Sequence, residues 1–219
     1  MDILLINPAK RDKSYLTEHL GIACLKAYAE KRGFRADIYD MAIENSDIAD
    51  AVQVVLHENP ISVGISLLDA TKKRGLALIC ALRNAGYSGY IIIGGYFATF
   101  CAREVITDFN QIDFVVRGEG EATLVELLDY FRNPIRKDLK SIQGISYHDQ
   151  NQIIENPGRP LLNELQQLPF IDRKYARKVL ANGSNLRIYA SRGCWGSCTF
   201  CDIIDISTIP NTHNNTRQL

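Results

Sequence analysis

Three of the chain's six cysteines fall within eight consecutive positions, in the run Ser191-Arg192-Gly193-Cys194-Trp195-Gly196-Ser197-Cys198-Thr199-Phe200-Cys201-Asp202. The spacing is C-x3-C-x2-C. Three thiolates at such short range can wrap one compact metal centre, and Gly193 and Gly196 let the backbone curl around it. Three ligands leave a coordination position open, whereas a cluster meant only for electron transfer is usually held by four. An open position means chemistry at the metal. Two other readings stand beside this one. Zinc also takes thiolates, and His213 would complete a Cys3His set, although the x3-then-x2 spacing is unlike paired C-x2-C knuckles and His213 lies in the polar run Asn211-Thr212-His213-Asn214-Asn215. Unliganded thiols are the remaining case, and three crowded, exposed thiols invite oxidation. Cys24, Cys80 and Cys101 sit among apolar residues and read as small hydrophobes.

The elements that must position this cluster are legible upstream. The first 130 or so residues alternate short β-branched runs with amphipathic stretches, the pattern of βα units building a parallel sheet. Five strands are predicted, at residues 3–6, 36–39, 61–66, 90–93 and 113–116. Ile48, Ala51, Val52, Val55 and Leu56 recur at helical spacing, as do Leu124, Leu127, Leu128 and Phe131. Gly33 and Gly86 close two further helices as left-handed caps. Asn133-Pro134 then breaks the pattern. Residues 142–155 read as a small hairpin around Asp149-Gln150-Asn151, and Pro157, Pro160 and Pro169 punctuate a connector with one helical candidate at 161–167. Residues 186–191 again read as a strand, directly before the cysteines. The expected division is 1–132, a Rossmann-like domain, 133–185, hairpin and connector, and 186–219, the opening of a second domain. The fold class is therefore α/β, a doubly wound, flavodoxin-like parallel sheet with a hairpin appendage.

Twenty-five basic and twenty-five acidic side chains cancel, so no net field draws the chain to nucleic acid or an anionic membrane. No apolar run approaches the ~20 residues of a membrane span, and Met1-Asp2 runs straight into a strand instead of a basic leader. A soluble, cytoplasmic protein is expected. His19, His57 and His148 have no partners at metal-ligand spacing and read as surface residues.

With an aromatic residue, Phe200, just before the last cysteine, the C-x3-C-x2-C run resembles the cluster loop of radical S-adenosylmethionine (SAM) enzymes. The resemblance implies a [4Fe-4S] cluster on Cys194, Cys198 and Cys201, with SAM on the open iron and Phe200 near its adenine. An external electron donor would reduce the cluster, and reductive cleavage of SAM to a 5′-deoxyadenosyl radical would then carry the organic chemistry.

Open parallel sheets bind ligands at the carboxyl ends of their strands. There the chain places Ser66-Leu67-Leu68-Asp69-Ala70-Thr71, Gly94-Gly95-Tyr96-Phe97-Ala98-Thr99 and Arg117-Gly118-Glu119-Gly120-Glu121. Paired glycines after a buried strand let a flat, bulky ligand approach the backbone. With Leu20-Gly21-Ile22-Ala23-Cys24-Leu25, these turns resemble the N-terminal domain of cobalamin-dependent radical SAM proteins. The resemblance implies that Ser66, Leu67, Thr71, Gly94, Gly95, Tyr96, Ala98, Thr99, Gly118, Glu119 and Gly120 cradle cobalamin. Many members carry a histidine where this chain has Phe97, and D-x-H-x-x-G is missing, so the cobalt is expected to lack a histidine from this domain. Gly118-x-Gly120 is no dinucleotide fingerprint, because the third glycine is missing and the turn follows the fifth strand.

A radical SAM barrel needs far more than the residues after Cys201, since one βα unit takes about 30. The chain is therefore expected to be a truncated form that is inactive alone, with no catalytic residue assignable. Its full form would methylate or rearrange an unreactive carbon of a small-molecule or peptide substrate. The alternatives are a non-catalytic cobalamin-binding module, or a flavodoxin-like domain with a Cys3His zinc tail.

Overall fold

In the computed structural model, residues 1–12, 15–135, 138–150, 152–194, 196, 198–201 and 217–218 are described. Five parallel strands form where the apolar runs predict them: β1 (Ile3–Asn7), β2 (Ala36–Asp40), β3 (Ser62–Ser66), β4 (Tyr90–Gly94) and β5 (Phe114–Val116). Their spatial order is β2-β1-β3-β4-β5, so the chain reverses direction across the sheet between β1 and β3. Such a switch point opens a crevice beyond the strand ends.

Side chains alternate between two apolar layers, as a pleated strand requires. Ile3 and Leu5 face one side with Ile92, Phe114 and Val116, under helices α1 (Leu20–Lys31) and, later in the chain, Glu121–Arg132. Leu4 and Ile6 face the other with Val63, Ile65, Ile91 and Ile93. That side is covered by α3 (Ile48–Glu58) and α4 (Lys72–Asn84), and by the short α5 (Tyr96–Phe100) and α6 (Ala102–Asp108). The one-turn α2 (Met41–Glu44) precedes α3, and Glu121–Arg132 is α7. Burial on both faces explains why the strands read as nearly continuous hydrophobic runs. Gly33 and Gly86 take φ of 82° and 87°, the left-handed caps that the sequence calls for.

The hairpin, β6 (Ile145–Asp149) and β7 (Gln152–Glu155), is continuous with the sheet. β6 pairs antiparallel with β5, giving seven strands. Arg117 fastens it: its backbone N–H donates to Gly144 O at 2.8 Å and its guanidinium to Ile145 O at 3.1 Å.

The connector differs from expectation in two places. Over 161–167 only a 3-10 turn forms, Leu165–Gln167, and an unforeseen helix α8 follows at Ala176–Ala181. Leu165, Tyr175 and Val179 are buried, and Tyr175 and Val179 join the same apolar layer as α1 and α7. The strand expected at 186–191 is present only as β8 (Ser191–Arg192), paired with β9 (Arg217–Gln218). Ile188 and Tyr189 just before it are exposed, so nothing apolar holds that segment as a longer strand.

Candidate functional site

A cavity of about 510 Å³ opens at the carboxyl ends of the parallel strands, within the size range of ligand sites. Ile22 and Leu25 of α1 and Leu124 of α7 wall one side. Ile65, Ile92, Ile93 and Val116 supply the sheet side, and the segment Tyr189 to Gly193 forms part of the rim.

The loops around it are stitched by hydrogen bonds. Leu67 N–H donates to Gly94 O at 2.7 Å and Phe97 N–H to Leu67 O at 3.2 Å, which joins the turns after β3 and β4. Gly118 N–H donates to Thr99 Oγ1 at 3.0 Å, which joins those after β4 and β5. Gly95 makes the first junction possible. Its φ of 96° and ψ of 178° belong to glycine alone, and a Cβ there would stand 2.7 Å from Leu67 O.

Of the candidate residues, Ser66, Gly94, Gly95, Tyr96, Thr99, Gly118, Glu119 and Gly120 line the cavity. Leu67 and Ala98 lie in the expected turns, but their side chains are fully buried in the layer under α4 and α6. Thr71 Oγ1 accepts from Leu68 N–H at 3.0 Å and so closes the turn before α4. Phe200 is 87% exposed. Leu68, absent from the sequence candidates, lines the cavity in place of Leu67.

His19 is not the surface residue the sequence suggested. It caps α1, lines the cavity and touches Ser66. Ile22 N–H donates to His19 Nδ1 at 3.3 Å, so the ring proton sits on Nε2, 3.0 Å from Ser66 Oγ, and is donated to that hydroxyl. The Ser66 proton is thereby free to point elsewhere. Burial holds the imidazole below its ordinary pKa, more than offsetting its own backbone hydrogen bond, so it is kept neutral.

Across the cavity, the two carboxylates of the Gly118–Glu121 turn are drawn inward. Arg192 reaches Glu121 Oε1 at 2.5 Å and Glu119 Oε1 at 3.3 Å, and Leu162 N–H donates to Glu119 Oε2 at 2.8 Å. All three ionic side chains are largely buried, at 18% exposure for Arg192, 13% for Glu119 and 4% for Glu121. Burial opposes the Arg192 charge, but the hydrogen bond to Glu121 and the attraction of both carboxylates outweigh it and raise the guanidinium's pKa. Glu119 thus spends both oxygens inside the protein.

Two residues after Arg192, the cysteine loop begins at Cys194. Gly196 N–H donates to Cys194 Sγ at 3.4 Å. A Cβ on Gly196 would lie 3.4 Å from Cys194 Sγ and 3.6 Å from Cys198 Sγ, so these two thiols converge on one face of Gly196 at ordinary contact distance. Cys201 N–H donates to Cys198 O at 3.2 Å. Among the described residues no three His, Cys, Asp or Glu side chains are gathered at metal-holding distance. His213, the candidate fourth zinc ligand, lies outside the described residues.

A switch-point crevice with glycine-built turns defines a flavodoxin-like, ligand-binding α/β domain. The chain belongs to the B12 binding domain family, which matches residues 13–128. It is 28% identical over 209 residues to an uncharacterized methyltransferase of Pyrococcus horikoshii, covering 92% of this chain and 45% of that protein. It is 34% identical over 116 residues to the anaerobic magnesium-protoporphyrin IX monomethyl ester cyclase of Synechocystis sp., covering 51% and 22%. Among solved structures, the cobalamin-dependent SAM radical enzyme OxsB with aqua-cobalamin and SAM bound matches with a TM-score of 0.79 at 20% identity, over 100% of this chain and 30% of that one. TsrM of Kitasatospora setae, with cobalamin and a [4Fe-4S] cluster bound, gives 0.63 at 19% identity over 77% and 31%. These structures share the fold, and the chain spans less than half the length of each of these four proteins. Among the described residues no helix is long and apolar enough to cross a membrane.

Proposed function

We propose that this chain is the cobalamin-binding and cluster-bearing portion of a cytoplasmic, cobalamin-dependent radical SAM enzyme that transfers a methyl group to, or otherwise remakes, an unreactive carbon. The observation that carries the reading is the continuity of the cavity rim with the cysteine loop: Ser191, Arg192 and Gly193 line the cavity, and Cys194 follows. The proposed division is 1–132 for cobalamin, 133–185 for hairpin and connector, and 186–219 for the start of the SAM domain.

The residues present fit both groups. A large apolar hollow with backbone exposed at Gly94, Gly95 and Gly118 accepts a broad ring, and Ser66 and Thr99 offer hydroxyls at its edge. His19 serves as a cap and a hydroxyl anchor, since both ring nitrogens are engaged. Three thiols, two of them already converging on Gly196, suit a cluster held on three sides. When bound, the cluster would supply an electron, SAM the radical precursor and cobalamin a methyl carrier. The protein's part is to hold them close together and to exclude water from the apolar hollow. A small-molecule or peptide substrate and an external electron donor would complete the reaction.

Titration with hydroxocobalamin, followed by anaerobic reconstitution with iron and sulfide, tests the reading. A red protein that also turns brown, and loses iron in each of Cys194→Ala, Cys198→Ala and Cys201→Ala but not in Cys80→Ala, supports it. Red protein without iron uptake means a cobalamin module alone, and colourless protein holding zinc means the flavodoxin-like alternative.

A further inference from the structure

Glu119 and Glu121 flank Gly120 on one turn, and both carboxylates grip a guanidinium 71 residues away in sequence from Glu121. That guanidinium sits two residues before the first cysteine of the cluster loop. A surface pair of this kind would contribute little, but these three side chains are largely buried, and breaking a buried pair leaves a charge without a partner. A planar fork is needed to serve two carboxylates at once, a geometry that lysine cannot copy. Glu119, Glu121, Arg192 and Gly193 also line the same cavity, so a ligand there touches both halves of the junction.

We infer that Arg192 is a positioning residue: clamped by Glu119 and Glu121, it pins the cluster loop to the cavity rim, so that loop order and cavity occupancy belong to one equilibrium. The clamp is made of side chains of this chain alone. Its coupling to occupancy rests on the cobalamin reading above.

By linkage, a ligand that favours the clamped rim must also protect the loop. The readout is the rate at which N-ethylmaleimide alkylates each cysteine, followed by peptide mass spectrometry on the full chain, with Cys80 on α4 as the internal reference. Without ligand, Arg192→Gln and the near-isosteric Glu121→Gln each speed alkylation of Cys194 and Cys198 at least about fivefold, the lower end of ordinary coupling, while Cys80 is unchanged. The double variant is no faster than the singles, and Arg192→Lys recovers only part of the protection. With hydroxocobalamin, the wild-type loop is slowed by a similar factor and the variants are not.

Ligand-free rates equal to wild type in both Gln variants overturn the clamp. Hydroxocobalamin that binds and yet protects variants and wild type alike overturns the coupling. A wild-type chain that takes up no hydroxocobalamin refutes the cobalamin reading and with it the coupling, while the ligand-free rates still decide the clamp. If Arg192→Gln fails to fold, shown by faster Cys80 alkylation, Glu121→Gln carries the comparison.

Discussion

Gly95→Ala probes the cavity's construction most directly. The backbone there has φ 96° and ψ 178°, a region that costs a residue with a side chain about 1–3 kcal/mol. The added methyl would also stand 2.7 Å from Leu67 O. That oxygen cannot retreat freely, because it accepts from Phe97 N–H while Leu67 N–H is tied to Gly94 O. Relief of such crowding costs a further ~1–3 kcal/mol, so the sum is roughly 4 kcal/mol. In a chain of this size that lowers Tm by about 8–16 °C. Two neighbours serve as controls. Gly118→Ala shares the positive φ, at 75°, but meets nothing within 4 Å, and should cost about 1–2 kcal/mol. Gly94→Ala brings a methyl no nearer than 3.5 Å to Val116 O and should stay within about 1 kcal/mol of wild type.

The assay is urea unfolding of the three variants, with hydroxocobalamin affinity measured on the folded protein. The predicted order of destabilisation is Gly95→Ala well above Gly118→Ala, with Gly94→Ala last. A Gly95→Ala variant no less stable than Gly118→Ala would show that the junction of the two turns yields easily, and the account of the cavity rim would be wrong.

His19 gives a pH signature. Its folded pKa lies below the ordinary 6.5 because burial disfavours the charge, so just below pH 6.5 the unfolded chain binds a proton that the folded chain refuses. Its contribution to stability is complete above 6.5 and is lost as pH falls towards the folded pKa. Urea midpoints at pH 7.5 and 5.5 should therefore drop further in wild type than in His19→Asn, which keeps a good N-cap but removes the titrating ring; equal drops would contradict the assignment. Leu67→Ala should cost about 2–5 kcal/mol, as for any fully buried leucine, yet leave hydroxocobalamin affinity of the folded fraction unchanged, because the side chain faces the core. A weakened affinity in the folded fraction would place Leu67 in the site after all.

The sheet is legible because it is buried on both faces: a run such as Ile91-Ile92-Ile93 is the mark of a strand covered on its two sides. The glycine turns are legible for a different, local reason, since Gly95 and Gly118 take positive φ that a side chain disfavours. What escaped was whatever depends on a distant partner. His19 looks like any polar residue before a helix until Ser66, 47 positions on, arrives beside it. The docking of the connector rests on a few anchors, Leu165, Tyr175 and Val179, too few and too widely spaced to show a period, and on ion pairs such as Lys26 with Asp172 at 2.8 Å. In sequence, Glu119 and Glu121 are two like charges on one turn. In the folded chain one guanidinium offsets half of that charge, and it comes from the segment that leads into the cysteines. The same long-range pairing that hides from the sequence is therefore what brings cavity and cysteine loop to one rim.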